Sequence, residues 1–162
     1  MAKNSGEVKI RRMTRDDLMR VNQIDGLLSG KFRVPTWPFS FETYWNIYGP
    51  GASFVAEVNG QVVGFIAGNI SALERSNSIL DLMHTRAHSS RYPKAGWIDM
   101  LGVHPDFQKM QVGRALVDAF YEECKNNGAP MRAIVKEGDD RLTSFLVRLG
   151  FKKWEMTTYE KE

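Results

Sequence analysis

The chain has 162 residues, 43% of them hydrophobic and 25% charged, with a formal net charge of +3 and a pI near 9.0. That length and balance predict one globular domain spanning 1–162, with a core large enough to need neither disulfides nor a structural metal. The mild positive excess favours anionic ligands, but without a dense Lys/Arg run it argues against a nucleic-acid partner.

Cys124 is the sole cysteine, so no intrachain disulfide and no paired-cysteine zinc site is expected, and a reducing, cytoplasmic setting is the natural reading. Lys3, Arg11 and Arg12 precede no apolar stretch of signal-peptide length, and no segment is long and apolar enough to span a membrane.

Residues 7–13 alternate weakly and predict a strand. Thr14 followed by Asp16 and Asp17 reads as a helix start, and Leu18, Val21, Ile24 and Leu28 continue it at helical spacing to Gly30. Pro35 and Pro38 around Trp37 mark an ordered loop. Residues 40–48 predict a short aromatic helix capped by Ser40. Two strands follow at 52–58 and 61–70, joined by Asn59-Gly60, a strong hairpin signal. Residues 71–96 are a long polar excursion, at most partly helical, and long loops in compact domains are often functional. A strand is expected over 97–103, an amphipathic helix over 112–127 and a strand over 131–136. A helix capped by Asp139 or Asp140 stops at Gly150, and a last strand covers 151–159. The order β-α-α-β-β-loop-β-α-β-α-β indicates an α/β (α+β) sheet domain.

The segment 97–116 carries the chemistry. A strand ends at His104-Pro105, and a loop then enters a helix whose first N–H groups and dipole favour an anion. Lys109 and Arg114 add positive charge, and Gly113 allows close backbone approach. A pyrophosphate suits such a place. Taken alone, the same pattern also describes an ordinary strand–helix connection with a solvated lysine.

Val103-His-Pro-Asp-Phe-Gln-Lys-Met-Gln-Val-Gly-Arg-Ala-Leu116 resembles the acetyl-CoA signature of the GNAT superfamily of N-acetyltransferases, V-x-P-x-[YF]-[QR]-x-x-G-x-G-x-x-L. Val103, Pro105, Phe107, Gln108, Gly113 and Leu116 match it, whereas Gln111 stands where the first glycine is usual. Phe145-Leu-Val-Arg-Leu-Gly-Phe151 is similar to the family's second landmark, F-x-x-x-x-G-F. The resemblance implies a mixed, mostly antiparallel central sheet with splayed central strands, flanked by about four helices. It further implies acetyl transfer from acetyl-CoA to a primary amine in a ternary complex, without a metal. Leu101, Gly102 and Val103 match the strand positions whose backbone pairs with the pantetheine arm. Gln108, and the loop Lys109, Met110, Gln111, Val112, Gly113 and Arg114, match the pyrophosphate-binding positions. A homodimer is possible from family habit. The acceptor amine, whether small molecule or peptide, is not specified, and a CoA-binding module without catalysis is the rival reading.

The reaction needs a base for an amine that is mostly protonated near neutral pH. Asp99, expected by the period of two to share a strand face with Trp97 and Leu101, is the candidate for base or amine recognition. Its bland alternative is a hydrogen-bonded strand residue. Glu57 is the backup. The tyrosine that many relatives use as general acid corresponds to Leu146, so that role is not carried over, and Tyr44 and Tyr159 are substitutes that nothing in the sequence selects. His84 and His88 at i, i+4 read as solvated loop residues rather than metal ligands. Cys124 reads as a helix-face core residue. The aromatic cluster Trp37, Phe39, Phe41, Tyr44, Trp45 and Tyr48 fits either an acceptor pocket or a hydrophobic lid on the sheet.

Overall fold

The computed structural model describes residues 6–28, 40–72, 94–135 and 138–153. Five strands lie in sequence order in one sheet: β1 (Val8–Arg12), β2 (Phe54–Val58), β3 (Gln61–Ala72), β4 (Lys94–Val103) and β5 (Met131–Ala133). The first three junctions are antiparallel and β4–β5 is parallel. Four helices complete the described fold: α1 (Leu18–Leu28), α2 (Phe41–Tyr48), α3 (Val112–Asn126) and α4 (Asp140–Arg148).

The local signals explain most of these boundaries. Asp17 accepts from the Thr14 N–H at 2.8 Å, and a 3-10 turn over Arg15–Asp17 leads into α1. Arg11 clamps the same junction through ion pairs to Asp17 and Glu57, each at 2.7 Å. Ser40 caps α2 by accepting from the Thr43 N–H. Asn59 and Gly60 have φ of 52° and 76°, the left-handed pair that a two-residue hairpin turn requires.

The sheet is covered on both faces. Val112, Leu116, Phe120 and Cys124 of α3 pack on Ala56, Ile66 and Ile98. Val21, Ile24, Phe41 and Tyr44 of α1 and α2 pack on Val55, Phe65, Ala67 and Met100. A Cβ on Gly96 would stand 2.2 Å from the Cys124 sulfur, so a bare backbone there is what lets α3 sit so close. Burial pushes the Cys124 thiol up to about 12, the opposite of what a nucleophile needs.

Several expected boundaries change. The excursion is shorter than 71–96, because β3 runs on to Ala72 and β4 starts at Lys94. β5 ends at Ala133 rather than 136: β4 pairs with it only from Gly96 to Ile98. Residues 151–153 are not a strand, since the Phe151 N–H is bonded to the Leu146 carbonyl at 3.1 Å and closes α4. The rest of that expected strand, and the middle of the excursion with His84 and His88, lie outside the described residues.

The departure of β4 from β5 coincides with a bulge. Gly68 pairs with Ile98 and Ala67 with Met100, so Asp99 is an extra residue in the ladder. The alternation therefore slips. Ile98, Leu101 and Val103 face the α3 core while Met100 faces the α1–α2 core. The expectation that Asp99 shares a face with Leu101 fails for this reason: a bulge breaks the period of two.

Candidate active site

The splay opens a cavity of about 770 Å³ bounded by β4, the end of β5, the loop before α3, and α4. Its size is within the range of small-molecule sites. The middle is apolar, lined by Ile98, Leu101, Val103, Phe107, Phe145 and Leu146. One end is basic, with Lys109, Arg114 and Arg141, and Asp99 lines the same space.

The basic end is built mainly from backbone. Lys109 and Gln111 both have left-handed φ, 68° and 63°, a conformation that costs a non-glycine residue roughly 1–2 kcal/mol. Gln111 thus holds the backbone shape natural to a glycine. It is the N-cap of α3 and makes no side-chain capping bond, while its carbonyl accepts from the Ala115 N–H at 3.0 Å. The first N–H groups of α3 have no intrahelical acceptor, and the helix dipole adds partial positive charge. Gly113 abuts two cavity walls: a Cβ there would lie 3.3 Å from Phe145 and 3.7 Å from Val103.

Gln108 locks this loop to the strand. Its side-chain amide donates to the Val103 carbonyl at 3.1 Å, and its oxygen accepts from Arg141 of α4. Gln108, expected from the resemblance to bind the ligand, thus has a structural role in the loop.

The acidic end is built from side chains of three elements. Asp99 Oδ2 accepts from the Tyr44 hydroxyl of α2 and from the Asn69 amide of β3, each at 2.8 Å. Burial, and next the Asp99 charge, push the Tyr44 phenol far above its ordinary range. Such a phenol keeps its proton and is a poor general acid.

Eight of the expected residues line the cavity: Asp99, Leu101, Val103, Gln108, Lys109, Gln111, Gly113 and Arg114. Four do not. Gly102 turns toward the other layer, where a Cβ would meet Phe65 and Leu28. Val112 is a core residue of α3, and Met110 packs against the same core. Glu57 sits between β1 and β3, ion-paired with Arg11, so its carboxylate is engaged away from the cavity and the backup role falls away. Leu146 is 6% exposed and lines the cavity, presenting no acid. Phe41, Tyr44 and Trp45 are buried against the sheet, which favours the lid reading for the described part of the aromatic cluster. Trp37, Phe39 and Tyr159 lie outside the described residues. Sequence reasoning missed Arg141, Arg148 and Asn69, since no motif or spacing marks them. Among the described residues no three His, Cys, Asp or Glu side chains gather as a metal site, and no helix is long and apolar enough to cross a membrane.

An apolar cleft with cations and a helix N-terminus at one end and a carboxylate on its wall suits an elongated ligand with an anionic head and a reactive tail, which defines a group-transfer site. The sequence model of the acetyltransferase (GNAT) family matches residues 21–151, and the chain belongs to that family. Comparison with curated protein sequences gives no match. Among solved structures, the chain is similar to AAC(6')-Iy in complex with the bisubstrate analog CoA-S-monomethyl-acetylneamine. That match has 18% identity over 96% of this chain and 98% of the other, with a TM-score of 0.71. It is also similar to Ard1 from Thermoplasma volcanium, with 24% identity, coverage of 90% and 82%, and a TM-score of 0.63. A third is the ribosomal-protein-S18-alanine N-acetyltransferase from Escherichia coli, with 18% identity, coverage of 91% and 79%, and a TM-score of 0.65. These likenesses establish the fold, and the family and architecture expected from the sequence are borne out.

Proposed function

We propose that this acetyltransferase binds acetyl-CoA in the splayed cavity and passes the acetyl group directly to a primary amine held near Asp99. The observation that carries the reading is continuity: one cavity joins the Lys109–Arg114 loop to Asp99. The left-handed loop, the start of α3 and the side chains of Lys109 and Arg114 supply the donors for the pyrophosphate. The apolar middle, between β4 and α4, suits the pantetheine arm.

Transfer then needs few groups. The neutral amine nitrogen forms a bond to the thioester carbonyl carbon, and the carbonyl π pair moves to oxygen. The intermediate collapses, the C–S bond breaks, and CoA leaves as the thiolate. The proton lost from nitrogen passes to Asp99, directly or through water, and a second proton taken up from solvent neutralises the thiolate. A thiol pKa of about 8.5 makes this a tolerable leaving group without a tyrosine acid, consistent with Leu146 and with the raised Tyr44 phenol. Solved structures with this fold include one in complex with the bisubstrate analog CoA-S-monomethyl-acetylneamine and one of a ribosomal-protein-S18-alanine N-acetyltransferase, so small-molecule and peptide amines are the acceptors to try. A single domain over 1–162 remains our reading of its organisation. The test is release of CoA thiol from acetyl-CoA with kanamycin, spermidine or a peptide bearing a free N-terminus. Amine-dependent release supports transfer, whereas acetyl-CoA binding without release for any amine class points to a non-catalytic CoA-binding module.

A further inference from the structure

Asp99, the bulged residue, lines the cavity, and its carboxylate reaches into the α1–α2 layer. There, Oδ2 accepts two hydrogen bonds of 2.8 Å, from the Tyr44 hydroxyl and the Asn69 amide. Tyr44 itself cannot wander. It is fully buried, its ring is 5.7 Å from Phe41 and 4.9 Å from Tyr48 between centroids, and Phe41 in turn meets Phe65 edge-on. Ser40, capping α2, sets the helix that carries it. Asn69 stands on β3 beside the bulge, paired with Trp97.

We infer that Tyr44 and Asn69 are positioning residues that hold the Asp99 carboxylate ionised and in one orientation at the edge of the cavity. The inference rests on the role proposed above for Asp99 and adds the reason an aspartate at a bulge can serve it. A bulged residue has lost its ladder partner, so its side-chain direction must be fixed by something else. Two donors on one oxygen restrict rotation of the carboxylate and favour its charged form. The phenol, unable to give up its proton in this surrounding, donates it to Asp99 and accepts from the Asn69 side chain. Among the described residues, the other charged and titratable groups about the same space are Tyr48 behind Tyr44, Arg132 over the Trp97 ring, and Lys109, Arg114, Arg141, Arg148 and Asp139 along the cavity wall. The substitutions below leave all of them in place.

The experiment is a carboxyl-carbon NMR titration of aspartate-labelled protein, with the Asp99 resonance assigned by its loss in Asp99→Asn. Tyr44→Phe keeps the ring and removes one donor, and Asn69→Leu removes the other. Each should raise the Asp99 midpoint by about one unit, the size expected for a hydrogen bond to a charged group. With whichever of kanamycin, spermidine or a free-N-terminus peptide the wild type acetylates, each should lower kcat/KM for the amine about tenfold and leave KM for acetyl-CoA unchanged. In the Asp99→Asn background, Tyr44→Phe should cost nothing further. An unmoved midpoint in both folded variants, or an equal loss with and without Asp99, overturns the inference and leaves Tyr44 a packing residue. A wild type that acetylates none of the amines counts against the acetyl-transfer reading instead, and the titration still decides whether the carboxylate is clamped.

Discussion

The two ends of the cavity are made of different materials. The end formed by Lys109–Arg114 is a backbone device: left-handed turns and a helix N-terminus supply its donors, and side chains add charge around it. The end formed by Asp99 is a side-chain device, with Tyr44, Asn69 and Asp99 drawn from a helix and two strands far apart in sequence. A backbone device tolerates exchange of residue type as long as the dihedrals persist, which is how Gln111 stands at φ 63°, a conformation natural to glycine. A side-chain device depends on single atoms.

The sharpest break of that contrast is at Asp99. We expect Asp99→Asn to lower kcat/KM for the amine by about 10²–10⁴, the usual range for a general base, while acetyl-CoA affinity holds. Near wild-type turnover in a folded variant would remove the carboxylate from the mechanism. At the other end, Gly113→Val puts a β-branched side chain where even a Cβ lies 3.3 Å from Phe145. Overpacking of about 1–3 kcal/mol is expected in stability, with at least about a tenfold loss of CoA affinity, because a tenfold loss needs only about 1.4 kcal/mol. Unchanged CoA titrations would place the phosphates away from this loop.

Smaller effects should follow from residues that only support the backbone device. Arg141→Ala releases Gln108 from α4 but leaves its bond to Val103. An exposed charged contact contributes about 0.2–1 kcal/mol, so CoA affinity should fall no more than about fivefold, with a difference that shrinks as salt is raised. A loss much larger than that would make Arg141 a direct ligand contact. The smallest change is Gln111→Gly. Relief of the left-handed strain and the greater freedom of an unfolded glycine nearly offset each other. Stability should stay within about 1 kcal/mol, and CoA binding should be equal or tighter. Weaker binding would show that the Gln111 side chain itself holds the ligand.

The same contrast explains what could be read from the sequence. The loop and the start of α3 were legible because a backbone device leaves a contiguous signature, Val103 to Leu116, and the Asn59-Gly60 hairpin and the Ser40 cap were legible for the same local reason. Asp99 was legible as a residue but not in its surroundings. The bulge that turns it from the Leu101 face lies in the register of β3 against β4, and a period-two count has no term for an inserted residue. The sequence marks Tyr44 as a possible acid and as one of an aromatic cluster, and does not mark Asn69, because nothing in the spacing of 44, 69 and 99 announces that they meet. Glu57 attracted attention as a carboxylate on a strand, and only the fold shows Arg11 occupying it. The early end of β5 has a similar origin, since its length is decided by where β4 leaves.

The most direct test of the account is calorimetric titration of acetyl-CoA into the wild-type protein and Gly113→Val, paired with thermal unfolding at saturating ligand. The account predicts one site per chain in the wild type. At about 100 times the dissociation constant it predicts stabilisation by roughly 2.7 kcal/mol, with both effects severely reduced in Gly113→Val. A wild type whose melting temperature does not move at millimolar acetyl-CoA, or a variant that binds as tightly as the wild type, would contradict the assignment of the splayed cavity as the acetyl-CoA site.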